Sequence, residues 1–362
     1  MWPDRQLLDL FGIEHPIILA PMGGAMDWEL TTAVAEAGGL GSLPCMMWTS
    51  EKVREEVGKI RTRTNAPINF GFFSHKQPQP DNAREASWRD RLKPYYAELG
   101  VDAGAAAPVP ARSPFNEEFC SLVEELKPAA VSFHFGLPEA ALVKRVKAAG
   151  AKVISTATTV AEARWLEDHG ADVIVAQGVE AGGHRGIFLS EDISSQAGTF
   201  ALVPQVVDAV KVPVVAAGAV ADARGIAAAF ALGASGVQIG TAYLHCPESK
   251  ISKLHRQALK EANESSTVLT NIMTGRPARG IVNRLIREQG PIAEVPAFPN
   301  AANALAPLRA AAEKAGSGEF SPLWSGQAAS LGRAMPAGEF TRTLAAEALK
   351  RLTALGTAAR KS

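Results

Sequence analysis

The sequence predicts a (β/α)8 barrel with a small helical accessory lobe near its C-terminus, on three observations. Eight short apolar runs of strand length alternate with longer segments of helical period. Four of the joints between helix and strand share one glycine-bearing design, and no dinucleotide fingerprint follows the first strand, which favours closure over an open doubly wound sheet. The 362 residues suffice for one barrel of about 250 residues plus an appended segment.

Taken in order, the strand candidates are residues 15–22, 40–44, 67–73, 129–135, 152–157, 172–177, 212–217 and 236–242. Helices are expected between them at 28–37, 50–63, 82–99, 139–149, 160–169, 201–210 and 222–232. The phrases AEAGGLG, KAAGAKV, EDHGADV and ALGASGV each end a helix in small residues, use Gly as a left-handed cap, and enter a strand at once. The barrel is therefore assigned to residues 1–244. From 245 to 335 the rhythm breaks into a basic helix near 250–262, the loop TGRPARG, and a Pro/Ala-rich stretch before a helix at 300–315, read as a lobe over the active-site face. Residues 336–362 return to the barrel as a helix at 341–355, with GTAARKS expected to fray.

Lys+Arg and Asp+Glu both number 37, so no polyanion or anionic membrane is favoured as a partner. Nucleic acid is not expected. Cys45, Cys120 and Cys246 are scattered without a metal-like spacing, so no metal site is expected and a reducing, cytoplasmic setting fits. Every apolar run is broken short of the ~20 residues that span a bilayer, and the acidic N-terminal stretch does not read as a secretory signal. A homodimer is left open.

Barrel sites lie on the loops after the strands. After the seventh strand stand Gly218 and Ala219, and after the eighth Gly240 and Thr241, two small-residue turns whose backbone N–H groups can approach a phosphate. Together they read as the phosphate site of a cofactor. After the sixth strand, Gln177 is followed by Gly182, Gly183 and His184, a loop able to fold closely over a planar ring. Pro21 and Met22 end the first strand beside flexible glycines, and Asn69 is a polar side chain in an apolar run that needs a partner. His134, in VSFHFG at the end of the fourth strand, is the sharpest candidate for proton transfer, with His184 as competitor. His15, His75, His169, His245 and His255 carry only a structural reading.

At these residues the chain resembles the nitronate monooxygenase family, formerly 2-nitropropane dioxygenases, which are FMN-dependent TIM-barrel enzymes. The segments PIILAPMGG, AEAGGLGSL, PINFGFF, VSFHFGLP, AQGVEAGGHRG, VPVVAAGAV, GVQIGTAYL, TGRPARG and LWSGQAA carry the resemblance in the family's order, and VSFHFGLP points to its class I. The resemblance implies oxidation of alkyl nitronates, with nitroalkanes as a further option, by FMN and O2 to a carbonyl compound and nitrite. It places Pro21 and Met22 against the flavin ring, Asn69 and Gln177 in hydrogen bonds to the ring or ribityl, Gly182 and Gly183 over it, and Gly218, Ala219, Gly240 and Thr241 at its phosphate. His134 is then the catalytic residue, either protonated to hold a nitronate or neutral to deprotonate a nitroalkane. Other segments are shared with flavin reductases, so an FMN-dependent NAD(P)H:quinone or enoyl-thioester reductase is the alternative. The family often has tyrosines where this chain has Phe298 to Asn303 without one, which suggests a smaller or less polar nitro compound.

Overall fold

In the computed structural model, which describes residues 1–102 and 113–358, eight parallel strands run β1 Ile17–Leu19, β2 Gly41–Leu43, β3 Ile68–Phe73, β4 Ala130–His134, β5 Lys152–Ala157, β6 Val173–Gln177, β7 Val214–Ala217 and β8 Gly236–Ile239. Each pairs with the next from β2 to β8, and β8 pairs with β1 through Ile17↔Val237 and Ile18↔Gln238. Closure is completed by the bridge Ile18↔Leu40, where the Leu40 N–H donates to the Ile17 carbonyl at 2.9 Å. The strands are buried on both faces, which is why they read as continuous apolar runs rather than alternating ones.

Several strands are shorter than their apolar runs. The Ala20 N–H still donates to the Ile239 carbonyl at 2.9 Å, and the residues past it, Pro21 to Gly24, line the mouth. The four shared joints hold: Gly38, Gly150, Gly170 and Gly233 all have φ between 83° and 100°, the left-handed region that a Cβ disfavours.

One helix assignment changes. Asn82–Leu99 lies between β3 and β4 in sequence, yet its buried face of Trp88, Leu92, Tyr95 and Tyr96 packs on the lobe helix Ala301–Lys314. The Trp88 indole N–H donates to the Ala301 carbonyl at 3.1 Å, and the Tyr96 hydroxyl to the Ala304 carbonyl. The barrel position is taken instead by Glu117–Leu126, whose Phe119, Leu122 and Val123 pack with Val57, Ile60 and Val146 of the neighbouring helices. A short helix not foreseen, Gln6–Phe11, closes the barrel floor by placing Leu7 and Phe11 against Ile18, Ile154 and Val215.

The lobe is not purely helical. Thr267–Thr270 and Ala278–Ile281 form an antiparallel pair to which Gly183–His184 is added, with Ala278↔His184 and Arg279↔Gly183. The lobe is thus stitched to the loop after β6. The last helix, Ala337–Ala358, docks Phe340, Leu344 and Ala348 against Leu30, Val34 and Ile226, and the end of the GTAARKS tail lies outside the described residues. Among the described residues no helix is long and apolar enough to cross a membrane, and all three cysteines are buried and free.

Candidate active site

A cavity of about 850 Å³ opens at the C-terminal ends of the strands beneath the lobe, within the usual range for small-molecule sites. Pro21, Met22, His134, Gln177, Gly182, Gly183, Gly218, Ala219, Gly240 and Thr241 all line it. Asn69 does not. It is fully buried on β3, where its Nδ2 donates to Ser42 Oγ and to Ser132 Oγ, both at 2.9 Å, and only Ser132 reaches the cavity. Its Oδ1 has no hydrogen-bond partner among the described residues.

On the β7–β8 side the wall is mostly backbone. Gly218 has φ 114° and Ala219 φ 56°, so two successive residues take positive φ and turn the backbone tightly at the cavity wall. A Cβ on Gly218 would stand 2.7 Å from Thr199 Oγ1, and one on Gly182 would stand 2.5 Å from the Gly326 nitrogen. Thr241 does not face the cavity with a free hydroxyl lone pair alone, since its Oγ1 accepts the Gly326 N–H at 2.9 Å. On the first strand, Pro21 nests against the bare backbone of Gly71, where a Cβ would fall 2.5 Å from the proline ring.

On the β4–β6 side the wall is an interlocked side-chain network. His134 Nε2 donates to the His184 carbonyl at 3.1 Å, and Nδ1 lies 3.2 Å from Thr156 Oγ1. A carbonyl can only accept, so the neutral ring carries its proton on Nε2 and its lone pair on Nδ1. Burial pushes the His134 pKa down to about 4, helped by the positive charges of Arg276 and Arg185 and opposed by the bond to His184. Near pH 7 the ring is neutral. Gln177 is committed to the same loop, donating to the His184 carbonyl at 3.0 Å and accepting the Gly186 N–H at 2.8 Å. His184 itself has Nε2 2.9 Å from Thr274 Oγ1 and is ringed by Phe73, Phe135, Phe298 and Trp324.

Behind this loop sit three arginines that the sequence reading passed over. Arg185 is fully buried and donates to the carbonyls of Gln177 at 2.6 Å and Gly178 at 2.7 Å, with Nε on Gln196 Oε1 at 2.9 Å. Arg276 lies 4.1 Å over the Phe135 ring and donates to the Ile187 carbonyl. Arg279 donates to the Val179 carbonyl at 2.8 Å. Desolvation lowers the pKa of all three, and that of Arg185, at about 10, still leaves it charged near neutrality. None has a carboxylate within salt-bridge distance among the described residues, although Glu180 and Glu162 act on them from farther away. Those two carboxylates are held elsewhere: Glu180 accepts from the N–H and hydroxyl of Thr199, and Glu162 from Thr158, Phe188 and Leu189.

A model of the nitronate monooxygenase family matches residues 4–347. The chain is 43% identical over 345 residues to a nitronate monooxygenase of Pseudomonas aeruginosa, covering 93% of this chain and 97% of that one. Its fold is similar to that of a crystallised nitroalkane oxidase from Streptomyces ansochromogenes, with TM-score 0.87, 39% identity, and coverage of 96% of this chain and 99% of that one. FabK from Thermotoga maritima is a more distant likeness, with TM-score 0.74, 27% identity and 99% coverage of both chains. With the family model spanning nearly the whole sequence and a relative this similar over most of it, the chain belongs to the nitronate monooxygenase family and is an oxidoreductase of that kind.

Proposed function

We propose that the protein oxidises alkyl nitronates with O2 through a bound FMN, releasing a carbonyl compound and nitrite. The observation that carries this reading is the set of three arginines behind the cavity wall, Arg185 and Arg279 buried and Arg276 half-buried, with no carboxylate at salt-bridge distance among the described residues, a field that favours an anionic substrate over a neutral one. Two features support FMN as the cofactor. The tight small-residue turn at Gly218 and Ala219 brings backbone to the cavity wall where a phosphate would sit, with Gly240 and Thr241 beside it. Ser132, whose hydroxyl accepts from Asn69 Nδ2 and lines the cavity, would meet the ring's polar edge with its own O–H, with Asn69 bracing it from one layer below. Pro21 and Met22 would flank the ring, and Gly182 and Gly183 would cover it, while Gln177 has one remaining N–H to offer. When bound, FMN supplies the electron transfer and the reaction with O2.

The chain's own part is to attract the anion, exclude water and control a proton. Neutral His134 is suited to take the α-proton of a nitroalkane and not to hold a nitronate as a cation, because its pKa of about 4 leaves it uncharged at working pH. From the lobe, Ala302 and Ala306 line the cavity and Phe298 packs behind His184, so that side offers no tyrosine hydroxyl, while Ser252, Thr274 and Ser321 bring alcohols to the lining and Arg309 and Glu313 bring charges. This polar lining does not support the expectation of a less polar substrate, and the roomy cavity supports no restriction to a smaller one. A cytoplasmic setting and a homodimer are part of the same proposal.

Aerobic O2 uptake on adding an alkyl nitronate, together with FMN as the chromophore released on denaturation, is the expected result. NADH oxidation coupled to a quinone or an enoyl thioester, without nitronate turnover, would move the assignment to the reductase alternative.

A further inference from the structure

We infer that the Thr156 hydroxyl sets the preference of this enzyme for nitronate anions over neutral nitroalkanes by occupying the basic nitrogen of His134. The inference rests on the function proposed above and concerns the atom through which a proton would move.

His134 has two nitrogens, and both are engaged within the protein. The Nε2–H is spent on the His184 carbonyl, itself fixed by a second bond from Gln177. The only lone pair is therefore on Nδ1, and the group facing it is the Thr156 hydroxyl at 3.2 Å. Thr156 is buried on β5, and a β-branched side chain has few χ1 choices. Its methyl is also packed against the backbone of Gly186, where an added Cβ would lie 2.6 Å from Cγ2 and 3.2 Å from His134 Cε1. The missing side chain at Gly186 thus leaves room for both side chains to lie together there, with Oγ1 3.2 Å from Nδ1. Arg185 and Arg276 are the charged groups whose fields reach the imidazole, with the ring of His184 beyond Phe73 and Phe135.

Deprotonating a nitroalkane breaks the Cα–H bond, delivers the proton to a nitrogen lone pair, and leaves the electron pair delocalised into the nitro group as the nitronate. That step needs Nδ1 free, so Thr156 must first turn away against its packing. A nitronate arrives already ionised and needs no base. The hydroxyl consequently penalises one substrate form and not the other.

Thr156→Val is close to isosteric and removes the donor, whereas Thr156→Ser keeps it. The ratio of kcat/KM for a fresh nitroalkane to that for its pre-ionised nitronate is expected to rise about five- to tenfold in Thr156→Val, the worth of one hydrogen bond, and to stay near the wild-type ratio in Thr156→Ser. Long-range proton–nitrogen NMR of the imidazole should show the Nε2–H tautomer in the wild type, a readout independent of turnover. An unchanged ratio in a Thr156→Val protein that still oxidises the nitronate, or an Nδ1–H tautomer in the wild type, overturns this inference alone. A wild type that turns over no nitronate overturns the function beneath it.

Discussion

The two sides of the barrel mouth are built on different principles. At β7 and β8 the wall is backbone, made by Gly218, Ala219 and Gly240, with left-handed φ at the first two and little side chain to contribute. At β4 to β6 it is side chain, with His134, Thr156 and Gln177 bonded through one loop to one another and clamped from behind by Arg185. Backbone donors suit a fixed anion such as a phosphate, because they cost nothing to orient. A side-chain network suits proton control, because tautomer and pKa are set by partners. Substitutions on the two sides should therefore separate: cofactor retention fails on one, substrate chemistry on the other.

The largest effect is expected for His134→Asn, which should lower kcat/KM for a nitroalkane by about 10²–10⁴ while lowering that for the nitronate less than tenfold and leaving FMN bound. Steady-state kinetics with both substrate forms checks it, and equal activity on both would remove His134 from the mechanism. Next comes Arg185→Met, which strands the Gln177 and Gly178 carbonyls in a buried setting and should cost about 3 kcal/mol in urea unfolding. Gly218→Val forces a side chain into left-handed backbone and against Thr199, at about 1–3 kcal/mol, and should weaken FMN binding roughly tenfold to a hundredfold without altering the nitroalkane-to-nitronate ratio. An altered ratio there would break the division between the two sides.

The smallest effect is on pH dependence. His134 and His255 are both neutral in the fold, with pKa values lowered from 6.5 to about 4 chiefly by burial. The unfolded chain takes up protons at these sites as pH falls below about 6.5 and the folded chain does not until about 4, so stability is lost across that window. The slope should be about 1 kcal/mol per histidine between roughly pH 6.5 and 5.5, and His134→Asn should remove one histidine's share of it.

The backbone side was the more legible in sequence. Gly218 and Ala219 stood out as a small-residue turn after the seventh strand, just as Gly38, Gly150, Gly170 and Gly233 at the opposite end of the barrel announced left-handed caps because few other residues tolerate them. The side-chain side was harder. Thr156 and Ser132 stand in strand runs where a small polar residue resembles any buried hydroxyl, and only the three-dimensional register puts them beside His134 and Asn69. Arg185 follows a glycine pair, which reads as exposed loop, and its buried clamp on two carbonyls has no local sequence signal. Asn69 was singled out correctly as a buried polar group needing partners, yet it lies one layer below the cavity, a depth that spacing along one strand does not reveal. The helix Asn82–Leu99 was misplaced for a similar reason: its period marks a helix, but its partner Ala301–Lys314 lies some two hundred residues further along the chain.

The most direct test of the central claim is simultaneous recording of O2 uptake and nitrite release by the FMN-loaded protein given a pre-ionised alkyl nitronate without pyridine nucleotide. Nitrite should appear as O2 is consumed, at a rate that added NADH does not change. Absence of nitrite, with NADH oxidised once a quinone or enoyl thioester is supplied, would contradict the account.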